Sequence, residues 1–181
     1  MKRLAKGLSI LAVVLCAVSV TAETRPDFSG RWISEPEPKA PTSGDGARGG
    51  ERVGDLGSGW GSNITLTQEV GRLMVEYMFF ARGDMQPPLR FVFALDGSET
   101  KNSVMMGRGI QVQTSKTAWE DDKLIITTMH DFENPANGQR MTSEVKQTLS
   151  LASPTSLMVE TTRSGVLGGP PATTRTVYRK L

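Results

Sequence analysis

The chain has 181 residues, a formal net charge of +2, one cysteine, one histidine and three tryptophans. A single histidine and a single cysteine exclude a multi-histidine metal site and a disulfide framework. Lys2, Arg3 and Lys6 are the only charges before residue 23. Without them the net charge is −1, so the composition implies no basic surface for nucleic acid.

Those first 22 residues read as a secretory signal peptide. A positive start precedes an almost unbroken apolar run from Leu8 to Val20, and Val20-Thr21-Ala22 supplies small residues for cleavage before Glu23. The run is too short for the roughly 20 residues that span a bilayer. Leu15, standing where a small residue must precede a lipid-bearing cysteine, argues against lipidation at Cys16. The expected mature protein, residues 23–181, is exported to the periplasm or beyond, has no cysteine and no transmembrane segment, and is large enough for one domain.

Beyond the leader no stretch holds a helical period. Short runs rich in Val, Ile, Thr, Phe and Tyr alternate with turn residues, which predicts ten strands: 28–33, 62–69, 72–80, 89–95, 100–106, 110–118, 123–133, 140–151, 156–164 and 172–180. Their lengths suit an all-β, antiparallel up-and-down β-barrel of 8 to 10 strands. Residues 34–61, rich in Gly and Pro, read as a long loop inside that domain rather than a linker.

If 100–106 and 110–118 form a hairpin rather than one bent strand, the connections sort by end. Val70-Gly71, 96–99, 120–122 and 152–155 make tight turns at one end. At the other lie 34–61, 81–88, 107–109, 134–139 and 165–171, mostly long and rich in Gly or Pro. A barrel closed by tight turns and opened by longer loops is the layout of a ligand-binding cup. Tyr77, Phe79, Phe91, Met105, His130 and Phe132 fall near the loop end, and Trp60 and Met85 in its loops. This gives the mouth an apolar lining.

The first strand opens on Pro26-Asp27-Phe28-Ser29-Gly30-Arg31-Trp32, and Arg175 and Arg179 lie on the last. With an Asp-Gly-Ser turn at 96–98, a strand ending near Trp119 and a terminal Val-Tyr-Arg-Lys at 177–180, the chain resembles the calycin superfamily. It is similar in particular to small exported bacterial proteins described as lipocalin-like. The resemblance implies that the first and last strands pair, with an arginine from the last packed on Trp32 to seal the closed end. Setting Phe28 near Leu181 places Trp32 opposite about Val177, between Arg175 and Arg179. The long insertion after the first strand departs from that pattern.

His130 shares a strand face with Leu124, Ile126 and Phe132. It reads either as a tolerated polar residue near the rim or as a lone acid or base in an apolar cup, with Tyr77 or Glu144 as helpers. Gly44-Asp45-Gly46-Ala47-Arg48-Gly49 matches a dinucleotide-binding spacing but lacks the flanking strand and helix. Asp121-Asp122 has too few oxygen neighbours for calcium. The expectation is a monomer that binds a hydrophobic or amphipathic small molecule in the barrel mouth without catalysis, cofactor or metal. The alternatives are an isomerase or cyclase working through His130, Tyr77 and Arg108, and an envelope module whose loops meet a protein partner.

Overall fold

The computed structural model describes residues 25–36, 58–77, 88–106, 109–133, 137–164 and 170–181, without the side chains of 105, 106, 109, 132 and 133. The leader at 1–22 lies outside these residues.

Ten strands follow one another: β1 (Gly30–Ser34), β2 (Asn63–Gln68), β3 (Arg72–Tyr77), β4 (Leu89–Ala94), β5 (Thr100–Met106), β6 (Gly109–Glu120), β7 (Lys123–Glu133), β8 (Arg140–Ser153), β9 (Ser156–Arg163) and β10 (Ala172–Lys180). They form one sheet in the order β4-β3-β2-β1-β10-β9-β8-β7-β6-β5. Every neighbouring pair is antiparallel, and the sheet curls into a nearly closed up-and-down barrel. β5 and β6 are a hairpin, with Thr100 opposite Ser115 and Met106 opposite Gly109. The division into a tight-turn end and a loop end follows from it.

Alternation builds the core. Ile64 and Leu66 on β2, Leu73 and Val75 on β3, Phe91 and Phe93 on β4, Leu124 and Ile126 on β7, and Leu157 and Val159 on β9 are all buried. Their neighbours in sequence face outward, as a period of two on a one-sided sheet requires.

The tight-turn end is sealed by the chain just before β1. Phe28 is fully buried and stacks on Trp119, ring centroids 6.1 Å apart. Gln68 fixes this segment: its Oε1 accepts from Phe28 N at 3.0 Å and its Nε2 donates to Pro26 O at 3.0 Å. Trp32 Nε1 donates to Phe28 O at 3.0 Å.

The cation over the Trp32 ring is Lys180, Nζ 5.2 Å from the centroid. Trp32 lies opposite Lys180 and not Val177, because Phe28 precedes the strand and the chain end pairs further back, Leu181 N donating to Arg31 O. A shift of three residues is odd, so it exchanges the faces of β10. Tyr178 and Lys180 accompany Trp32, while Arg175 and Arg179 are exposed and Arg175 meets Glu160 at 3.2 Å. Gly30 follows from the same packing. Its φ is +148°, and a Cβ there would stand 2.5 Å from Lys180 Cε.

The barrel is not laced all the way round. β4 and β5 are joined by a tight turn at 95–99 but share no backbone ladder. Side chains bridge them. Asn102 Oδ1 accepts from Val92 N at 2.8 Å and Asn102 Nδ2 donates to Val92 O at 3.0 Å. From β6, Thr117 Oγ1 donates to Ala94 O.

Two stability measurements check this arrangement. Trp32→Ala is expected to cost about 3–5 kcal/mol, as buried aromatic truncations do, and an unchanged denaturant midpoint would refute the sealed end. Asn102→Ala strands both polar groups of Val92 and is expected to cost about 1–3 kcal/mol. Equal stability of this variant and the wild type would mean that the seam holds without the amide.

Candidate functional site

The barrel interior has two chemically different walls. On β3 and β4 three rings stand in a row: Tyr77 and Phe91 are stacked at 5.6 Å with 1° between their planes, and Phe91 and Phe93 at 6.4 Å with 9°. Together with Ile64 and Val75 they make a flat apolar surface. On β5 to β9 most inward positions at mid-barrel are polar: Asn102, Gln113, Ser115, Thr117, Thr128, Gln147 and Thr161 are all buried, with Ile126 set between Thr117 and Gln147. Below them, toward the tight turns, the same strands return to Leu124, Leu149 and Leu157.

Buried polar groups are normally partnered, and most of these are. Ser115 and Thr128 share a hydrogen bond of 2.9 Å, and Gln147 Nε2 donates to Ser58 O at 2.6 Å. Thr161 Oγ1, fully buried beside Gln147 in the β8–β9 register, has no partner among the described residues. The indole N–H of Trp119 at the closed end is the other such atom.

His130 sits above this band on β7, opposite Ser143 of β8, and is half-buried. Burial disfavours its cationic form, and the Arg163 guanidinium adds to that against the opposing pull of Asp131, so the imidazole titrates below its ordinary 6.5. Arg163 lies on β9, its Nη1 3.5 Å from Thr174 Oγ1. Burial raises the Tyr77 phenol. It pushes the Tyr178 phenol up to about 12, although the Ser58 hydrogen bond partly opposes the shift.

Of the residues expected from the sequence, Tyr77 and Phe91 meet in the ring stack, and His130 stands on the polar side. Phe79, Met85 and Arg108 lie outside the described residues, as do the side chains of Met105 and Phe132. Trp60 is buried in the core although it belongs to a connection, and Ser58 is buried with it. Gln147, Thr161, Tyr178 and Ser58 were not expected in the site. Among the described residues no three His, Cys, Asp or Glu side chains are grouped to hold a metal.

Two surface clefts are found among the described residues, the second sharing Ile64 and Tyr77 with the ring wall. One, of about 420 Å³, opens at the closed end beside Arg25, Glu69 and Trp119, where Arg25 already covers the Trp119 ring at 5.0 Å. The other, of about 280 Å³, runs along β1 to β3 beside Arg31, Glu76 and Tyr77. Neither gathers the polar band.

His130 gives a pH test. Its folded form binds a proton less readily than its unfolded form, so the unfolded chain gains the extra proton as the pH falls. Stability from this group is complete above the ordinary value of about 6.5 and is lost below it. Denaturant midpoints measured from about pH 7.5 to about pH 5 should fall more steeply for the wild type than for His130→Gln. Parallel curves would mean that His130 is solvated. Asp27 and Asp96, both held below the usual carboxylate range chiefly by their Ser29 and Ser98 hydrogen bonds, lose their contribution only at lower pH. No protein-family model and no curated protein matches the chain.

Proposed function

We propose that this is an exported, lipocalin-like barrel that binds an amphipathic small molecule in the loop-end half of its interior, without catalysing a reaction on it. The observation that carries the reading is the contrast between the two walls. Three parallel rings face a band of buried amides and hydroxyls. Asn102 and Thr117 serve the β4–β5 seam, but a structural core has no need of the rest, since burying each such group costs free energy unless it is hydrogen-bonded. Small-molecule sites have this composition, mostly apolar with a few placed polar groups.

The Gly30–Trp32 closure and the pairing of first and last strands support the lipocalin-like part of the reading. The leader sequence supports export. The ligand's flat apolar part lies on Tyr77 and Phe91, and its polar part turns toward Gln113 and His130.

Burial of about 400 Å² of ligand surface supplies on the order of 10 kcal/mol at roughly 25 cal/mol per Å². Ordering costs reduce that to about micromolar affinity. An environment-sensitive apolar dye is therefore expected to bind with one-site stoichiometry. Phe91→Asp should abolish binding by setting an unpaired charge against the rings, and Phe91→Leu should weaken it. Ser98→Asp, in an exposed closed-end turn, should do neither. If Phe91→Leu, with its fold intact by circular dichroism, titrates like the wild type, the ring wall is not the site.

A further inference from the structure

The described end of the connection between β1 and β2, residues 58–62, packs into the barrel. Ser58 is 2% exposed and Trp60 4%, yet neither belongs to a strand. Ser58 O accepts from Gln147 Nε2, Ser58 Oγ and Tyr178 OH lie 2.5 Å apart, and Gly61 O accepts from Tyr178 OH at 2.7 Å. Gln147 is midway along β8, so the turn reaches mid-barrel. Gly59 and Gly61 have φ of +82° and +74°. That left-handed backbone comes without penalty only to glycine, and it lets the chain bend tightly enough to enter.

The turn therefore presents an indole, two carbonyl oxygens and one hydroxyl to the wall. The donors that hold it, Gln147 Nε2 and Tyr178 OH, are side chains of the wall and take no part in the sheet's backbone ladder. The fit is incomplete. Thr161 Oγ1, directly across from Gln147, is fully buried and has no partner among the described residues. An unmade hydrogen bond at such a position costs about 1–3 kcal/mol, which a better-matched occupant recovers.

We infer that the 58–61 turn is an internal stand-in for the ligand, displaced when the ligand binds, and that the ligand shares its chemistry: an aromatic ring system with neutral carbonyl or hydroxyl oxygens. The inference rests on the ligand-binding reading above and narrows it. Gln147, Thr161 and Tyr178 are uncharged donors, and they match neutral oxygens. A carboxylate-headed lipid would have to bring its charge to this uncharged band or leave it unmatched.

The test uses the full exported chain and two fluorescent probes, Nile red (neutral, planar, carbonyl-bearing) and cis-parinaric acid (a carboxylate-headed polyene). Trp60→Ala removes the turn's ring. Gly61→Ala strains the turn without touching the wall and serves if Trp60→Ala does not fold. Each is expected to tighten Nile red binding about tenfold, and Thr161→Val in the same background should take back several-fold of that gain. In the wild type, Nile red should red-shift tryptophan emission as Trp60 leaves the core, and Trp60→Phe should abolish the shift.

Nile red affinity unchanged or weakened in folded Trp60→Ala and Gly61→Ala would make the turn a permanent part of the core and overturn the inference. A preference for cis-parinaric acid in every variant would overturn the ligand class and leave the binding reading standing. No uptake of either probe by any variant would remove both.

Discussion

The hydrogen bond from the Trp32 indole to Phe28 O anchors the plug that shuts the tight-turn end of this barrel. It turns the pre-strand segment under the sheet, where Phe28 reaches Trp119 and Gln68 holds Pro26 and Phe28. Gly30, with a φ of +148°, supplies there a backbone that other residues avoid. An apolar plug built in this way concentrates the large rings and leucines at the tight-turn end. The middle of the barrel is left free to hold polar side chains without loss of the fold. The buried amides of Gln113 and Gln147 are tolerable because Leu124, Leu149 and Leu157 beneath them already form a core.

Closure on the far side relies on a different device. A meander of ten strands leaves two edges, and unpaired edges invite association with other chains. Here β4 and β5 approach without a ladder, and the Asn102 amide takes the part of a peptide group by both accepting from and donating to Val92. Thr117 supplies a further bond to Ala94 O. Three edge groups of β4, Val92 N, Val92 O and Ala94 O, are satisfied in this way, at the cost of two polar residues on the inner face of the barrel. Part of the polar band is thus structural. The remainder, Gln113, Ser115, Thr128, Gln147 and Thr161, takes no part in these bonds at the seam.

Much of the architecture was legible because hairpins are local. Period-two runs separated by turns marked ten strands, and the parity of the connections separated tight turns from longer loops before any pairing was known. What failed was long-range. The β1–β10 register came out three residues from expectation, because nothing in sequence shows that Phe28 stops pairing and folds beneath Trp32. The cation on that ring is consequently Lys180 and not an arginine. The candidate site was legible only in part. Tyr77, Phe91 and His130 were set near the loop end from the sequence, and the structure has Tyr77 and Phe91 stacked and His130 half-buried. The polar band was not legible, since nothing in sequence separates a buried amide or hydroxyl such as Gln147 or Thr161 from a solvated one. Ser58 and Trp60 were assigned to a loop, because alternation carries no signal for a turn that re-enters a barrel.

The protonation states of the interior favour recognition by geometry over recognition by charge. Burial and Arg163 hold the His130 imidazole below 6.5, which makes it predominantly neutral at pH 7. Burial keeps the Tyr178 phenol protonated up to about 12 and raises Tyr77 as well. The same donors and acceptors therefore face inward across the neutral and mildly alkaline range. A hydrogen-bond pattern that does not change with pH can discriminate between ligands only by where their oxygens lie. It does so most strongly when buried donors are left unmatched by the wrong molecule. A site of this kind binds weakly to anything that fails to meet Gln147, Thr161 and Tyr178 together. On the proposed reading, that is a reason for the chain to keep its own carbonyls there in the absence of ligand.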